Sequence, residues 1–131
     1  MSNIKVFEND LPKDLDLSNE KFIGLDNEAL GLVLGRDPLT LVQLGLESKN
    51  FYLVKLNRET YNAPNLIKAL SNKNTQFIMH YARQDLLWLK YHLKVQPKNI
   101  FCTKVASKIA RTASSYHGYK DLVKELCGKD I

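Results

Sequence analysis

The sequence predicts an α/β fold, a mixed sheet flanked by helices, with three antiparallel strands first and parallel strands added later. Three observations support this prediction. The chain has 131 residues, 44% of them hydrophobic, which suits a single domain over 1–131. The first half contains short runs rich in β-forming residues. In the second half, apolar residues recur at helical spacing between short β-rich segments, an alternation typical of layered α/β proteins.

The first half is predicted to consist of strands joined by loops and turns. The expected strands are 4–7, 21–26, 39–46 and 51–56. A polar loop containing Pro12 separates the first two. Gly35 to Pro38 is a turn signal, and 47–50 has the length of a hairpin connection. The last three strands therefore follow one another closely enough to pair antiparallel.

The second half is predicted to alternate helices with short strands. The expected helices lie at 62–70, at 85–93, from 103 onward and at 119–126, and the expected strands at 76–80 and 100–101. Pro64 suits a first helical turn. Thr103 is a candidate cap for the third helix, with Val105 and Ile109 on its apolar face. Gly128 closes the last helix.

Charge and composition exclude several classes of protein. Residues 1–65 carry 7 basic and 10 acidic side chains, whereas 66–131 carry 12 basic and 4 acidic, so a polyanionic partner is favoured. The apolar runs are too short for a membrane span, and the N-terminus has no secretory pattern. Cys102 and Cys127 are too few for a disulfide scaffold or a zinc site. We therefore expect free thiols and a cytoplasmic location, away from membranes.

The acids that follow two predicted strands suggest a metal site. Asp26 and Glu28 stand two residues apart at a strand end, so an extended backbone projects both carboxylates from one face. Asp85 follows the strand at 76–80. If these strands are neighbours, three carboxylates converge, and they repel unless a cation neutralises them. Such oxygen ligands suit Mg²⁺ or Mn²⁺, and two such ions can cleave a phosphodiester.

Each of these residues also has a plainer interpretation. An Asp-x-Glu sequence after a strand is common and is usually solvated. Asp85, near the start of a helix, could merely complement the helix dipole. His80, at the end of its strand, is more often structural than functional. On the residues alone, these alternatives stay open.

A basic stripe is predicted on the third helix. Lys104, Lys108 and Arg111 are spaced i, i+4, i+7, which places them on one helix face. A stripe of this kind can follow a phosphate backbone. Its plainer interpretation is a soluble surface.

These segments, in this order, resemble ribonuclease D and the wider DEDD 3′–5′ exonucleases, whose fold is ribonuclease H-like. The family's first motif, a strand ending in Asp-Thr-Glu, corresponds to FIGLDNE at 22–28. Its second motif, a strand with a His and then an Asp opening a helix, corresponds to FIMHYARQDL at 77–86. The remaining matching segments are GL at 31–32, LTLVQL at 39–44, IFCTKVAS at 100–107 and HGYKDLVKEL at 117–126.

The resemblance implies an activity and roles for particular residues. Asp26 and Glu28 would hold two Mg²⁺ or Mn²⁺ ions, and Asp85 would be the third acid of the site. His80 and Arg83 would lie beside the 3′-terminal nucleotide. The implied reaction is attack of metal-activated water on the terminal phosphodiester of RNA, which releases a nucleoside monophosphate.

Two departures from the family pattern carry expectations of their own. Asn27 stands where Thr is usual, and its side chain points away from the acids, so we expect an effect on packing. The family's third motif, a late helix with Tyr-x-x-x-Asp, is not supplied by Tyr116 or Tyr119. We therefore expect a C-terminally truncated domain without its final catalytic helix and with an exposed apolar patch.

The function expected from the sequence is a ribonuclease D-like exonuclease acting on RNA 3′ ends, weak or inactive as this chain. One alternative is a non-catalytic nucleic-acid-binding remnant. Another is one half of a split exonuclease, completed by a separate C-terminal piece. The expected partners are accordingly RNA, together with a complementing fragment or a second copy on the apolar patch.

Overall fold

A computed structural model describes residues 3–131 and places a six-stranded sheet at the centre of the molecule. The strands are β1 (Asn3–Glu8), β2 (Phe22–Ala29), β3 (Leu39–Leu46), β4 (Asn50–Lys55), β5 (Gln76–Met79) and β6 (Ile100–Cys102), in the spatial order β1-β4-β3-β2-β5-β6. β2, β3 and β4 pair antiparallel, and β5 and β6 extend the sheet in parallel from β2. The predicted architecture is confirmed. β1 adds a further parallel pairing at the other edge, beside β4.

Within residues 3–131, four helices connect or follow the strands. They are α1 (Pro64–Leu70), α2 (Ala82–His92), α3 (Thr103–Ala110) and α4 (Tyr119–Cys127). α2 begins at Ala82, ahead of the predicted 85, because Tyr81 adopts a left-handed conformation (φ 61°, ψ 46°) that turns the chain directly from β5 into the helix. α4 ends as predicted, with Gly128 left-handed at φ 65°.

The hydrophobic core lies on one face of the sheet, where α1 and α2 pack. Alternate strand residues point into it, and the helices contribute their apolar sides. Among its buried members are Ile23, Leu25, Val42, Leu44, Phe77, Met79, Leu66, Leu70, Trp88 and Leu89. Each large side chain buried in this way contributes about 1.5–3 kcal/mol from the removal of apolar surface from water. This packed face holds the strands of the sheet in register.

The opposite face of the sheet is open in the described part of the chain. Ile4 is 61% exposed, Phe101 is 43% exposed, and Phe51 is also exposed. A groove of about 600 Å³ crosses this open face, over Gly24 and Gly45 and beside Asp26. The sequence-based expectation of an exposed apolar patch corresponds to this surface.

Two predictions about α3 are wrong. Its N-cap residue is Cys102, without a side-chain cap, and the Thr103 hydroxyl instead donates to the Met79 carbonyl at 3.2 Å. Val105 is 52% exposed and Ile109 is 73% exposed, while Ser107 is the residue that α3 buries. Helical spacing identifies an apolar face but does not show on which side of the helix its neighbours lie.

Candidate metal and nucleic-acid site

β2 carries two acids on the open face of the sheet. Ile23 and Leu25 are buried on the packed face, whereas Asp26 and Glu28 are exposed, so the alternation along the strand places both carboxylates on the other side. β2 lies between β3 and β5, near the middle of the sheet, and its register with β3 shifts between Glu28 and Ala29. The acids therefore stand where the regular strand ends, as predicted for ligands at strand termini.

α2 brings a third acid against the first. Asp85 lies in the first turn of α2, is only 8% exposed, and has its carboxyl group close enough to Asp26 for the two acids to interact. Burial, and next the negative charge of Asp26, raises the pKa of Asp85 to about 7. When Asp85 is protonated, its O–H donates to the Asp26 carboxylate. The pair therefore favours either a shared proton or a cation.

The carboxylates of Asp26 and Asp85 are suitable ligands for a hard divalent cation. The three predicted acids, however, do not all lie close together. Within 3–131, no three His, Cys, Asp or Glu side chains stand close enough together to form a ready metal-binding group. Asp26 and Asp85 are in contact, and Glu28 projects from the same face of β2 without closing on them. Carboxylate oxygens are the ligands that Mg²⁺ and Mn²⁺ prefer. Asp26, Glu28 and Asp85 are therefore the residues that would hold such ions.

Asn27 links the two acid-bearing elements. Its side-chain Nδ2 donates to the backbone carbonyl of Asp85 at 3.1 Å, and its backbone N–H donates to Asp26 Oδ1 at 2.9 Å. The side chain lies on the face of β2 opposite Asp26, as predicted. The hydrogen bond to α2 was not predicted, since only the folded chain brings residue 27 against residue 85.

His80 lines the groove beside Asp26. Its Nδ1 lies 2.9 Å from Thr103 Oγ1, and its ring meets the Tyr119 ring edge-on with centroids 5.6 Å apart. Burial, followed by the positive charge of Lys104, lowers the pKa of His80, while the charge of Asp26 partly opposes them. Its imidazole is therefore neutral near pH 7. Tyr119 had no recognisable signal in the sequence, because its role depends on where α4 packs.

The predicted basic stripe divides into two parts. The Lys104 ammonium lies 4.5 Å from the centroid of the half-exposed Tyr81 ring, and Lys108 is exposed on the same helix. Arg111 instead hydrogen-bonds to Ser107, to the Tyr116 carbonyl and to Glu125. Its guanidinium thus ties α3 to α4 through Glu125, and its role in phosphate binding stays a prediction.

Arg83 is exposed in the first turn of α2, two residues before the buried Asp85. No contact in the described part of the chain occupies its guanidinium, which leaves it available to solvent or to a ligand. Arg83 lies near the acidic pair by its place in α2, and Lys104 lies near His80, which lines the groove beside Asp26. An anionic polymer is the kind of ligand that such a surface attracts.

Together, the ribonuclease H-like sheet and the acids at its strand ends define a DEDD-type 3′–5′ exonuclease domain. A family model described as 3′–5′ exonuclease matches residues 5–131, and the chain belongs to this family. A comparison with the curated proteins finds no sequence similar enough to count as a relative. Within 3–131, no helix is long and apolar enough to cross a membrane.

Solved structures extend this family assignment. NrnC of Brucella melitensis bound to pGG is 34% identical, with a TM-score of 0.92 over 100% of this chain and 64% of that chain. The same protein with bound Mg²⁺ is 35% identical over 98% of this chain. Ribonuclease D of Escherichia coli shares the fold, with a TM-score of 0.71 at 18% identity over 87% of this chain and 30% of that chain. The chain thus spans 64% of the length of the NrnC chain bound to pGG.

Proposed function

We propose that this chain carries the metal-binding part of a 3′–5′ exonuclease site that shortens RNA from its 3′ end. The closeness of the buried Asp85, on α2, to Asp26, which lines the groove on the open face, is the observation that carries the proposal. Membership of the family supplies the class of reaction. The Brucella structure with bound Mg²⁺ supports a hard divalent ion as the cofactor.

The proposed division of roles follows from position and charge. Asp26, Glu28 and Asp85 hold two divalent ions, which supply activation of water and stabilisation of the leaving oxygen. Asp85 is kept partly dehydrated against Asp26, so a cation replaces the proton that the pair otherwise holds. Lys104 and Lys108 attract the phosphates upstream of the 3′ end. Cleavage then releases a nucleoside 5′-monophosphate.

Single-stranded RNA is the proposed substrate. The groove beside Asp26 is lined by Tyr119 and by Gly24, which has no side chain, so a sugar or base can approach β2 closely there, whereas the Phe51 ring covers Gly45. The Brucella relative bound to pGG supports a short, phosphorylated oligonucleotide as the kind of ligand that this groove accepts.

We expect the 131-residue chain on its own to be weak or inactive. Within the described residues, the carboxylates of Asp26 and Asp85 lie together and that of Glu28 stands apart from them. The open face of the sheet is exposed to water. Water on this face weakens every charge interaction that a transition state needs. A second polypeptide segment or a second copy on the open face would exclude that water, and we propose one of these as the completing partner.

The test is digestion of a 5′-labelled RNA oligonucleotide with Mg²⁺ or Mn²⁺. We expect slow shortening from the 3′ end or none, and any shortening should disappear in Asp26→Ala. Asp14→Ala is the matched control, because Asp14 is an exposed acid in the loop before β2. Robust digestion by the unmodified chain that Asp26→Ala abolishes would contradict the expected weakness. Robust digestion that survives Asp26→Ala would contradict the proposed site.

A second candidate function is nucleic-acid binding without cleavage. It is favoured by the basic second half of the chain, where Lys104 and Lys108 have charges available for phosphate. Binding of a labelled RNA should then weaken steeply with salt, survive Asp26→Ala, and fall in a Lys104→Ala/Lys108→Ala variant. Binding that does not depend on salt would count against it.

A further inference from the structure

We propose that Tyr81 is a positioning residue, which holds the Lys104 ammonium beside the groove so that it can meet a phosphate of the bound RNA. This inference rests on the proposed function, because it takes Lys104 as a phosphate contact. It adds that the strength of this contact depends on a neighbouring aromatic ring, and that the ring acts through the ammonium without touching the nucleic acid.

The ends of two neighbouring strands bring Tyr81 and Lys104 together. β5 and β6 are parallel, with Met79 opposite Cys102, and Tyr81 and Lys104 each stand two residues beyond that pair. The Lys104 ammonium lies 4.5 Å from the centroid of the Tyr81 ring. In open α/β sheets, ligands bind at the carboxyl ends of the strands. The pair therefore stands at the same end of the parallel strands as the acids of β2.

The backbone at Tyr81 is unfavourable for a tyrosine. Its φ of 61° and ψ of 46° lie in the left-handed region, which asparagine and glycine adopt more readily than an aromatic residue does. The side chain is 52% exposed, so burial in the core does not account for the choice of tyrosine. Backbone strain of this kind is typical of functional sites. Here the strained turn sets the ring against Lys104.

A fixed ammonium binds phosphate better than a mobile one. A free lysine side chain loses rotamer freedom when it is ordered, and that loss weakens binding. The face of the Tyr81 ring attracts the ammonium electrostatically, so part of the ordering takes place before RNA arrives. The ammonium has three N–H donors, and those turned away from the ring stay available. Burial, and then the positive charge of Lys104, lowers the pKa of His80, which places this charge close to a residue of the groove.

A second lysine–tyrosine pair in the described part of the chain provides a matched control. The Lys94 ammonium lies 5.1 Å from the centroid of the Tyr91 ring and also donates to the Tyr91 carbonyl. Tyr91 belongs to the last turn of α2, roughly 15 Å from Tyr81 at 1.5 Å per helical residue. That pair joins neighbouring residues at the end of one helix, whereas Tyr81 and Lys104 join two elements beside the groove.

The position of the ammonium can be measured without RNA, in 1H–13C spectra of the labelled chain. Protons held against the face of an aromatic ring resonate upfield, so the Lys104 ε-methylene signal should be shifted in the unmodified chain and in Tyr81→Phe. Lys104→Ala assigns the signal by its disappearance. In Tyr81→Asn the shift should vanish, while the midpoint of thermal unfolding should rise by roughly 3 °C because asparagine tolerates the left-handed backbone. An unshifted Lys104 signal in the unmodified chain would overturn the proposal.

Binding of a labelled RNA oligonucleotide in EDTA, which prevents cleavage, tests the consequence. Tyr81→Asn should weaken binding by about two- to five-fold, the loss expected for one exposed contact between a cation and a ring, and Tyr81→Phe should bind like the unmodified chain. In a Lys104→Ala background, Tyr81→Asn should have no further effect, because the ring acts only through the ammonium. Tyr91→Asn should leave RNA binding unchanged.

Three results would overturn the proposal in different ways. If Tyr81→Asn binds RNA as tightly as the unmodified chain, the ring serves the fold alone. If its effect persists in the Lys104→Ala background, the ring contacts the nucleic acid directly. If Lys104→Ala itself binds RNA at full strength, the phosphate contact is absent and this inference fails with it. The exonuclease site is tested independently of all three, by digestion with Asp26→Ala.

Discussion

The two faces of the sheet are lined by different kinds of residue. On the packed face, Phe77 and Leu66 are fully buried among other apolar side chains. On the open face, β2 presents Asp26 and Glu28, and the aromatic residues Phe51 and Phe101 are exposed on other strands. The packed face provides the free energy of folding, and the open face holds groups that are costly to bury. The acids are therefore held in place by close packing on the opposite side of the same sheet.

The largest expected effect is a difference in the free energy of unfolding between a variant of the packed face and a variant of the open face. Phe77→Ala, on β5, should lower the free energy of unfolding by about 3–5 kcal/mol, because it leaves a cavity in a fully packed core. Phe101→Ala is the matched control, since it lies on the neighbouring β6 and is exposed on the open face. It should cost less than about 1 kcal/mol. Urea unfolding measures both values.

A large loss in Phe101→Ala would break this distinction. If that loss grew with protein concentration, a second copy of the chain covers the open face, because mass action couples association to stability. Phe77→Leu provides a milder core variant in case Phe77→Ala does not fold. It should fall between Phe77→Ala and the unmodified chain.

The next effect concerns the cation on the open face. Mn²⁺ at a hundred times its dissociation constant should stabilise the folded chain by about 2.7 kcal/mol, because it binds the folded state and not the unfolded one. In Asp26→Ala this increment should disappear, whereas Asp14→Ala should keep it. Thermal unfolding with and without EDTA measures the increment. An increment that persists in Asp26→Ala would place the bound ion elsewhere.

The pH dependence of stability tests the Asp85–Asp26 contact without metal. The pKa of Asp85 rises from an ordinary 3.8 to about 7 in the folded chain. Between these values the unfolded chain loses a proton that the folded chain keeps, so this group makes stability fall as pH rises from about 4 to 7, and the penalty is constant above that. Asp85→Asn, which stays neutral, should therefore gain stability relative to the unmodified chain over the same range.

Unfolding in EDTA at a series of pH values measures this difference. A difference that does not change with pH would mean that Asp85 ionises at its ordinary pKa and does not share a proton with Asp26. Addition of Mn²⁺ should reverse the order at pH 8, because the cation neutralises the pair in the unmodified chain only.

Local pattern was enough to predict the sheet and the acids. The strands β2 to β4 follow one another with short connections, and Asp26 and Glu28 share a face because strand side chains alternate. The contacts that the sequence did not predict join residues far apart in the chain. Arg111 meets Glu125, and Asn27 meets the carbonyl of Asp85. A single sequence carries no signal for such pairs, since each depends on how two elements pack.

The smallest expected effect tests how the packed face positions the open one. Asn27→Ala removes the hydrogen bond to the Asp85 carbonyl and should lower metal-free stability by about 1 kcal/mol. It should also reduce the Mn²⁺ increment, because α2 is then less firmly held against β2. Asn27→Thr, the residue usual in the family, offers a shorter donor and should restore part of that increment.

Asn74→Ala is the control for this comparison, since Asn74 is exposed in the turn before β5 and far from the acids in the sheet. It should leave the Mn²⁺ increment unchanged. Measuring both the metal-free stability and the Mn²⁺ increment distinguishes a general loss of stability from a loss of alignment between the acids. If Asn27→Ala lowers metal-free stability but leaves the full Mn²⁺ increment, Asn27 merely joins two elements of the fold. A reduced increment that Asn27→Thr partly restores means that the packed side of β2 sets the spacing of the acids on its open side.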